Sequence, residues 1–359
     1  MKLLFVGTNR GGGGTESHFV TLVRTMHELG HEVHAIVFPG SPIHIGLEGS
    51  GVTLYDGVFR NAFDPRGFRK VWKVCREFQP DWIVGSFSKE YWPLGILAKL
   101  LKIKLALFKH MDFPMRPATN YFIPRLADRF VVISDFMAKK FAARGVPAEL
   151  IYVLYNPLNL EYFKTDLALR QATRKSLGYA DDDIVLGFLG ALHPDKGFLQ
   201  LADAANQAMI EIPELKALWL GDGRGAGALD EKINSGGFAP RHARHKWSAD
   251  VRPYYAVMDI LAMPSVESET FGRVSIEAQA SGIPVLCSDI GGIPETLSPG
   301  VTGLLLQPGN VAAWRDAIIA LASDRGRRTK MAEQGRYWVE QKFSAQVIGH
   351  QFEKMLADN

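Results

Sequence analysis

Ile184-Val-Leu-Gly-Phe-Leu-Gly-Ala-Leu-His-Pro-Asp-Lys-Gly197 is the stretch whose reading decides the fold. Residues 184–189 are an apolar run of strand length. Gly190 to Gly197 then form a polar, glycine-bounded turn, and Leu199–Met209 is apolar at helical spacing. Strand, glycine turn and helix in that order make the opening of a parallel α/β unit. Outward toward the C-terminus the pattern repeats, with strands expected at Lys216–Leu220, Ile260–Met263, Pro284–Cys287 and Gly303–Leu305. Helical spacing appears at Val274–Ser281 and Val311–Leu321.

Outward toward the N-terminus lies an earlier series of the same kind. Strands are expected at Leu3–Gly7, Glu32–Phe38, Trp82–Gly85, Leu105–Phe108, Phe130–Ile133 and Tyr152–Leu154. Helices are expected at Thr15–Leu29, Gly67–Phe78, Pro93–Leu101 and Phe136–Arg144. The rhythm breaks at Tyr155-Asn156-Pro157, where a polar helix, Leu167–Leu177, leads to Gly178 before the second series begins. The chain is therefore expected to be α/β, with two Rossmann-like doubly wound domains, residues 1–160 and 161–342, hinged near Asn156–Lys164. The tail from Gly326 to Leu356 is helical by pattern, with no strand left to serve.

Bulk properties agree with a globular enzyme-sized chain. The 359 residues are 47% hydrophobic and 22% charged, enough for two substantial cores. Cys75 and Cys287 are far apart in apolar surroundings and read as small buried residues, so a reducing, cytoplasmic setting is expected. Met1–Val6 is too short an apolar run for a signal peptide, and no apolar stretch reaches the roughly 18–20 residues that span a bilayer. Charge is uneven: Met1–Leu160 holds 20 Lys/Arg against 13 Asp/Glu, and the remainder 21 against 25. The first half is thus suited to something anionic, such as a membrane surface, a phosphorylated glycan or a nucleic acid.

Several motifs carry chemistry. The first strand runs into Gly11-Gly12-Gly13-Gly14 and a helix, a place where backbone amides can approach an anion. Glu16 stands where a dinucleotide fingerprint needs its last glycine, which disfavours NAD. His27-Glu-Leu-Gly-His31 spells a zinc-protease pattern, but Gly30 stops the helix before the second histidine, and no metal is expected there. Asp181-Asp-Asp183 reads as a solvated turn. Lys196 sits at a strand-to-helix junction suited to a phosphate, and Gly221-Asp222-Gly223 is a second glycine turn after a strand. Glu269 lies in a loop after a strand and Glu277 follows eight positions later, about one turn inside a helix that starts near Arg273. Glu277 can there accept two hydrogen bonds from a cis-diol, and the amides of Gly272–Val274 lie at a helix N-terminus ready for a diphosphate.

Taken together these segments resemble the family-4 retaining glycosyltransferases of the GT-B fold. The matching features are Gly13-Gly14-Thr15-Glu16, Gly30-His31-Glu32-Val33, Asn156, Lys196-Gly197, Gly221-Asp222-Gly223, Asp259 with Pro264-Ser265, the Glu269…Glu277 pair, Ser281-Gly282-Ile283-Pro284-Val285, and Gly291-Gly292-Ile293-Pro294-Glu295. The resemblance implies two domains facing a cleft, with a final helix (343–359) crossing back to the first domain. It implies that Glu277 binds the nucleotide ribose, and that Glu269 and the backbone of Phe271, Gly272, Arg273 and Val274 contact the donor sugar. Lys196 would meet the diphosphate, Gly13 and Gly14 would approach it from the first domain, and His110 would reach the sugar; Gly221 and Asp222 would complete the donor side.

One position departs from the family pattern. An arginine normally stands where Ala191 does; either Lys196 and the helix amides suffice for the diphosphate, or another cation such as Arg273, adjacent to the expected phosphate site, compensates. The implied activity is a metal-independent, cofactor-free, retaining transfer from a nucleotide-diphosphate sugar to a glycan or lipid-linked acceptor in bacterial cell-surface polysaccharide or lipopolysaccharide synthesis, with no nucleic acid involved. A nucleotide-sugar epimerase of similar plan and a non-catalytic nucleotide-sugar-binding subunit are the alternatives. The acceptor, or the inner face of the cytoplasmic membrane, is expected to meet the basic, aromatic-rich stretch holding Arg66, Arg69, Lys70 and Lys73.

Overall fold

The computed structural model describes residues 1–267 and 269–358. They fall into two compact units, Met1–Leu158 with the chain from Phe343 onward, and Asn159–Lys342.

The first unit is built on a seven-stranded sheet: β1 (Lys2–Gly7), β2 (Glu32–Val37), β3 (Thr53–Asp56), β4 (Trp82–Gly85), β5 (Lys104–Lys109), β6 (Arg129–Val132) and β7 (Ile151–Val153). Every pairing is parallel and the order is β3-β2-β1-β4-β5-β6-β7. The order reverses between β1 and β4, so the loops at their C-terminal ends diverge and leave a crevice. Residues 8–13 and 86–90 form those connections.

The second unit repeats the plan with β8 (Ile184–Leu189), β9 (Leu215–Leu220), β10 (His242–His245), β11 (Ile260–Met263), β12 (Val285–Ser288) and β13 (Gly303–Leu306). Its parallel order is β10-β9-β8-β11-β12-β13, with the switch between β8 and β11. The loops after β8 and β11 carry Lys196 and Glu269.

Both cores follow from strands that are apolar on two faces and helices that are apolar on one. Phe5, Phe19, Val84 and Phe108 are buried in the first, and Trp219, Ala262, Leu286 and Trp314 in the second. The last helix, Ala345–Ala357, sends Ile348, Phe352 and Leu356 into the first core at spacings of four. Each such burial is worth about 1.5–3 kcal/mol.

Differences from the sequence reading have local causes. β3 and β10 were not expected. They are edge strands, Thr-Leu-Tyr-Asp and His-Ala-Arg-His, with too few apolar residues to show a strand pattern. The tail is two helices rather than one stretch: Arg325–Phe343 ends at Ser344, whose hydroxyl accepts from the Val347 amide and starts Ala345–Ala357. A cap of this kind opens a new helix because it satisfies an amide that the previous turn cannot.

Candidate functional site

Three loops of the second unit are locked together by backbone contacts. The loop after β8 ends at Gly197, whose φ of +66° and closeness to the Pro264 carbonyl leave no room for a side chain; a Cβ would lie 2.0 Å from that oxygen. Val266 and Glu267 in the loop after β11 both donate their amides to the Asp195 carbonyl, at 2.8 and 3.3 Å. The third loop follows β12. Its Gly291 has φ +63° and a Cβ there would fall 2.2 Å from the Glu269 carbonyl, which also accepts the Gly292 amide at 2.8 Å. Glycine is required at both positions because the left-handed conformation coincides with a backbone contact.

This packing brings Lys196 and Glu269, 73 positions apart, into an ion pair of 2.5 Å with both side chains mostly shielded. Beyond Gly272 the helix Arg273–Ala280 begins, and Glu277 lies one turn inside it. Arg273 Nε donates to Glu277 Oε1 at 2.7 Å, and Tyr255 OH donates to Glu277 Oε2 at 2.9 Å. Tyr255 is fully buried; burial and the Glu277 charge hold its hydroxyl well above the usual phenol range, so it stays a donor. Arg273 therefore holds Glu277 rather than standing apart as a lone cation. Its Nη1, also buried, has no hydrogen-bond partner among the described residues. Phe271 is buried, so only its backbone can serve a ligand, whereas Val274 is half-exposed.

Gly221 and Asp222 form the turn after β9. The Asp222 carbonyl accepts the Leu192 amide at 2.9 Å, bracing the turn against the loop after β8, and its carboxylate accepts the Trp247 amide at 3.1 Å, bracing it against the chain after β10. Ala191 is exposed and brings no charge.

In the first unit, Gly13 precedes the helix Gly14–Glu28 in an extended conformation. The segment leading there is fixed by Glu90, whose Oε1 accepts both the amide and the hydroxyl of Thr8 at 2.7 Å. Glu90 is wholly buried, and that burial pushes its carboxyl up to about 7. His110 follows β5 and lines a cavity of about 350 Å³ together with Thr15, Trp92, Lys109 and Met115. Its ring lies 4.6 Å from that of His18. Burial, and after it the charge of Arg144, lowers the Lys109 ammonium below the usual lysine range.

The basic helix is Pro65–Phe78. Val71, Val74, Cys75 and Phe78 enter the core, while Arg66, Arg69 and Lys73 face solvent. Lys70 is half-buried over the Tyr55 ring, and Lys73 pairs with Glu77 at 3.8 Å. The zinc-protease pattern is broken as its glycine requires: the helix ends at Glu28 and His31 immediately precedes β2. Among the described residues no helix is long and apolar enough to cross a membrane.

Sequence reasoning missed Tyr255 and Glu90. Tyr255 lies in a short helix, Arg252–Val257, with no periodic signal. Glu90 sits in the polar run Ser-Lys-Glu and looks solvated until β1 and β4 are placed side by side.

Two doubly wound parallel sheets, each with glycine turns at its switch point, and a lysine–glutamate pair at the second of them define a protein of the GT-B plan. Known proteins say the same. A family profile described as Glycosyltransferase Family 4 matches residues 12–162, and one described as Glycosyl transferases group 1 matches residues 183–324. D-inositol 3-phosphate glycosyltransferase of Mycobacterium tuberculosis is 28% identical over 262 residues, covering 68% of this chain and 53% of that protein. The chain spans about half the length of the curated relatives it matches. Anabaena Alr3699/HepE, solved in complex with UDP-glucose, superposes with a TM-score of 0.83 at 25% identity over 99% of each chain. A glycosyltransferase from Rickettsia africae superposes with a TM-score of 0.87 at 19% identity, over 99% of this chain and 97% of that one. The chain belongs to the family-4 glycosyltransferases.

Proposed function

We propose that the protein transfers a glycosyl group, with retention and without a metal ion, from a nucleotide-diphosphate sugar to a glycan or glycolipid acceptor in bacterial cell-surface polysaccharide or lipopolysaccharide synthesis. The observation that carries the reading is the convergence of Lys196–Glu269 and Arg273–Glu277 at the switch point of the second sheet. The HepE complex with UDP-glucose supports a UDP-sugar as the first donor to test.

In this reading Glu277, oriented by Tyr255 and Arg273, keeps lone pairs for the two ribose hydroxyls, since an ionised carboxylate has about four acceptor sites. Lys196 and the first amides of the helix Arg273–Ala280 meet the diphosphate, and the charge of Arg273, held behind them by Glu277, takes the part of the cation absent at Ala191. Glu269 and the Phe271–Val274 backbone meet the sugar. The bond between the sugar's anomeric carbon and the diphosphate oxygen breaks through an oxocarbenium-like state. The acceptor oxygen then bonds on the same face, and its proton leaves with the diphosphate. Gly13, Gly14 and His110 keep the donor-side roles of the resemblance, and Gly221 and Asp222 brace the loop that carries Lys196. The exposed Arg66, Arg69 and Lys73 with Lys70 suit an anionic acceptor or the cytoplasmic membrane face.

The test is incubation with UDP-, GDP-, ADP- and dTDP-sugars and a glycolipid acceptor extract, followed by analysis of nucleotide and glycan products. Free nucleoside diphosphate with a glycosylated acceptor is expected, and Lys196→Ala should slow its release by about 10²–10³-fold. An altered nucleotide sugar would point to an epimerase. Tight nucleotide-sugar binding with no product from any acceptor would point to a binding subunit.

A further inference from the structure

The second unit has a larger cavity, about 720 Å³, at the other end of its sheet. Asp259 and Pro284 line it, and each directly precedes its strand, β11 or β12. The Lys196 and Glu269 loops follow the opposite ends, so roughly 10–13 Å of strand separates the two places.

The cavity wall is cationic. Lys164, Arg170, Arg252, Arg325, Arg328 and Arg336 line it, against Glu161, Asp166, Asp259 and Glu333. Ion pairs engage charges of both signs: Asp259 with Arg170 at 2.6 Å and with Arg174 at 3.4 Å, Arg252 with Asp250 and Arg336 with Glu340 at 2.7 Å each, and Lys164 with Glu161 at 3.3 Å in a pair that is open to solvent. Arg328 instead gives its Nη1 to the carbonyls of Leu321 and Ala322, at 2.6 and 2.5 Å, and makes no ion pair among the described residues. Burial presses its guanidinium below the usual range even though the charges of Asp259 and Asp324 act on it, so a further anion would relieve it. Arg325 likewise forms no ion pair among the described residues, and it opens the 19-residue helix whose N-terminal dipole adds positive potential. The helix Leu167–Leu177 also begins at the cavity. Met258, Ile283 and Pro284 give the rest of the wall an apolar, buried surface.

Ser281 of the cavity wall donates its hydroxyl to the Glu277 carbonyl at 2.9 Å, and a second wall residue reaches the Glu277 carboxylate itself. Tyr255 lines this cavity and donates its hydroxyl to Glu277 on the far side. Arg252 and Ala256, on the same short helix, line the cavity as well.

We propose that this cavity is an effector site for a small phosphorylated metabolite, its phosphate held by Arg325 and Arg328, with Lys164 drawn from its solvent-exposed pair with Glu161, and its uncharged body against Met258, Ile283 and Pro284. Occupancy reaches the donor carboxylate through Tyr255, a coupling that rests on the ribose role proposed for Glu277. A ligand binding one end and changing affinity at the other must make different contacts in the two states, and the Tyr255–Glu277 hydrogen bond is the contact through which the two ends would be linked.

Calorimetric titration of the full chain with inorganic phosphate, ribose 5-phosphate and AMP, and with ribose and adenosine as uncharged controls, decides the matter. Saturable binding of at least one phosphorylated compound is expected, with none for the controls. Arg325→Ala combined with Lys164→Ala, neither residue being part of the donor site, should weaken it roughly tenfold and leave UDP affinity unchanged. The bound compound should change UDP affinity by at least about twofold in the native chain, and Tyr255→Phe should abolish that change while keeping the site. Absence of saturable binding by all three, binding that survives the double substitution, or competition with UDP for one site would overturn the proposal. Binding with no effect on UDP affinity would overturn the Tyr255 coupling. If UDP itself failed to bind while the phosphorylated compound did, the donor reading would fall and the cavity would stand.

Discussion

Replacing Glu90 by glutamine should make the protein more stable at pH 8 and leave it almost unchanged at pH 4.5. Glu90 is wholly buried and its carboxyl titrates near 7 in the folded chain, against 4.5 when unfolded. Burial opposes the charged form and outweighs the two hydrogen bonds from Thr8. Between these values the folded chain holds a proton that the unfolded chain has released. Stability is therefore greatest below pH 4.5 and falls as pH rises to 7, where the loss reaches about 3 kcal/mol. Glutamine never ionises, and its side-chain carbonyl can accept from the Thr8 amide and hydroxyl as Oε1 does. Its NH₂ takes the place of Oε2, which has no partner among the described residues, so a small constant cost remains at both pH values. Urea unfolding of native and Glu90→Gln chains at the two pH values gives the difference, with the substituted chain ahead by about 3 kcal/mol more at pH 8 than at pH 4.5. An equal offset at both would mean that Glu90 ionises normally in its pocket, and the account of Thr8 held by a mostly neutral acid would fail.

His242 gives the opposite slope. Burial lowers it to about 4 from 6.5, while its Nδ1 accepts from Trp219 and its Nε2 faces Asn206 Oδ1. Its contribution is full above pH 6.5 and lost as pH falls to 4, roughly 2 kcal/mol after allowing for partial solvent contact; His242→Gln should flatten that acid limb in urea titrations. Gly197→Ala forces a side chain into the Pro264 carbonyl and should weaken donor binding by displacing Lys196, with a stability loss of about 1–3 kcal/mol; unchanged UDP-glucose affinity and melting temperature would contradict the three-loop lock. Cys75 and Cys287 are buried, and burial pushes both thiols up to about 12, so neither should react with a thiol reagent in the native protein. Rapid labelling of either in native buffer would show the cores to be more open than the packing indicates.

The alternation of strands and helices was legible because it is a matter of local period. The bounds of Ile184–Leu189, Ile260–Met263 and Trp82–Gly85 follow from the sequence to the residue, for buried parallel strands announce themselves as unbroken apolar runs. The spacing of Glu269 and Glu277 was equally local, as was the helix start that separates them. The edge strands β3 and β10 were not legible, since none of their residues is fully buried and nothing in their composition demands a strand.

What the sequence alone determined, then, is the two-part α/β plan and the residue types at each strand's end, because short-range patterning and glycine turns carry that information. Tertiary structure alone decided the partners. Lys196 meets Glu269 across 73 positions only because Gly197 and Gly291 let three loops touch backbone to backbone. Glu277 is shared by Arg273, one turn away, and Tyr255, on a different helix. Glu90 becomes a buried acid only when β4 is laid beside β1 and Thr8 is brought to it. Such pairings depend on which strands adjoin at a switch point, and residue spacing along the chain does not encode that.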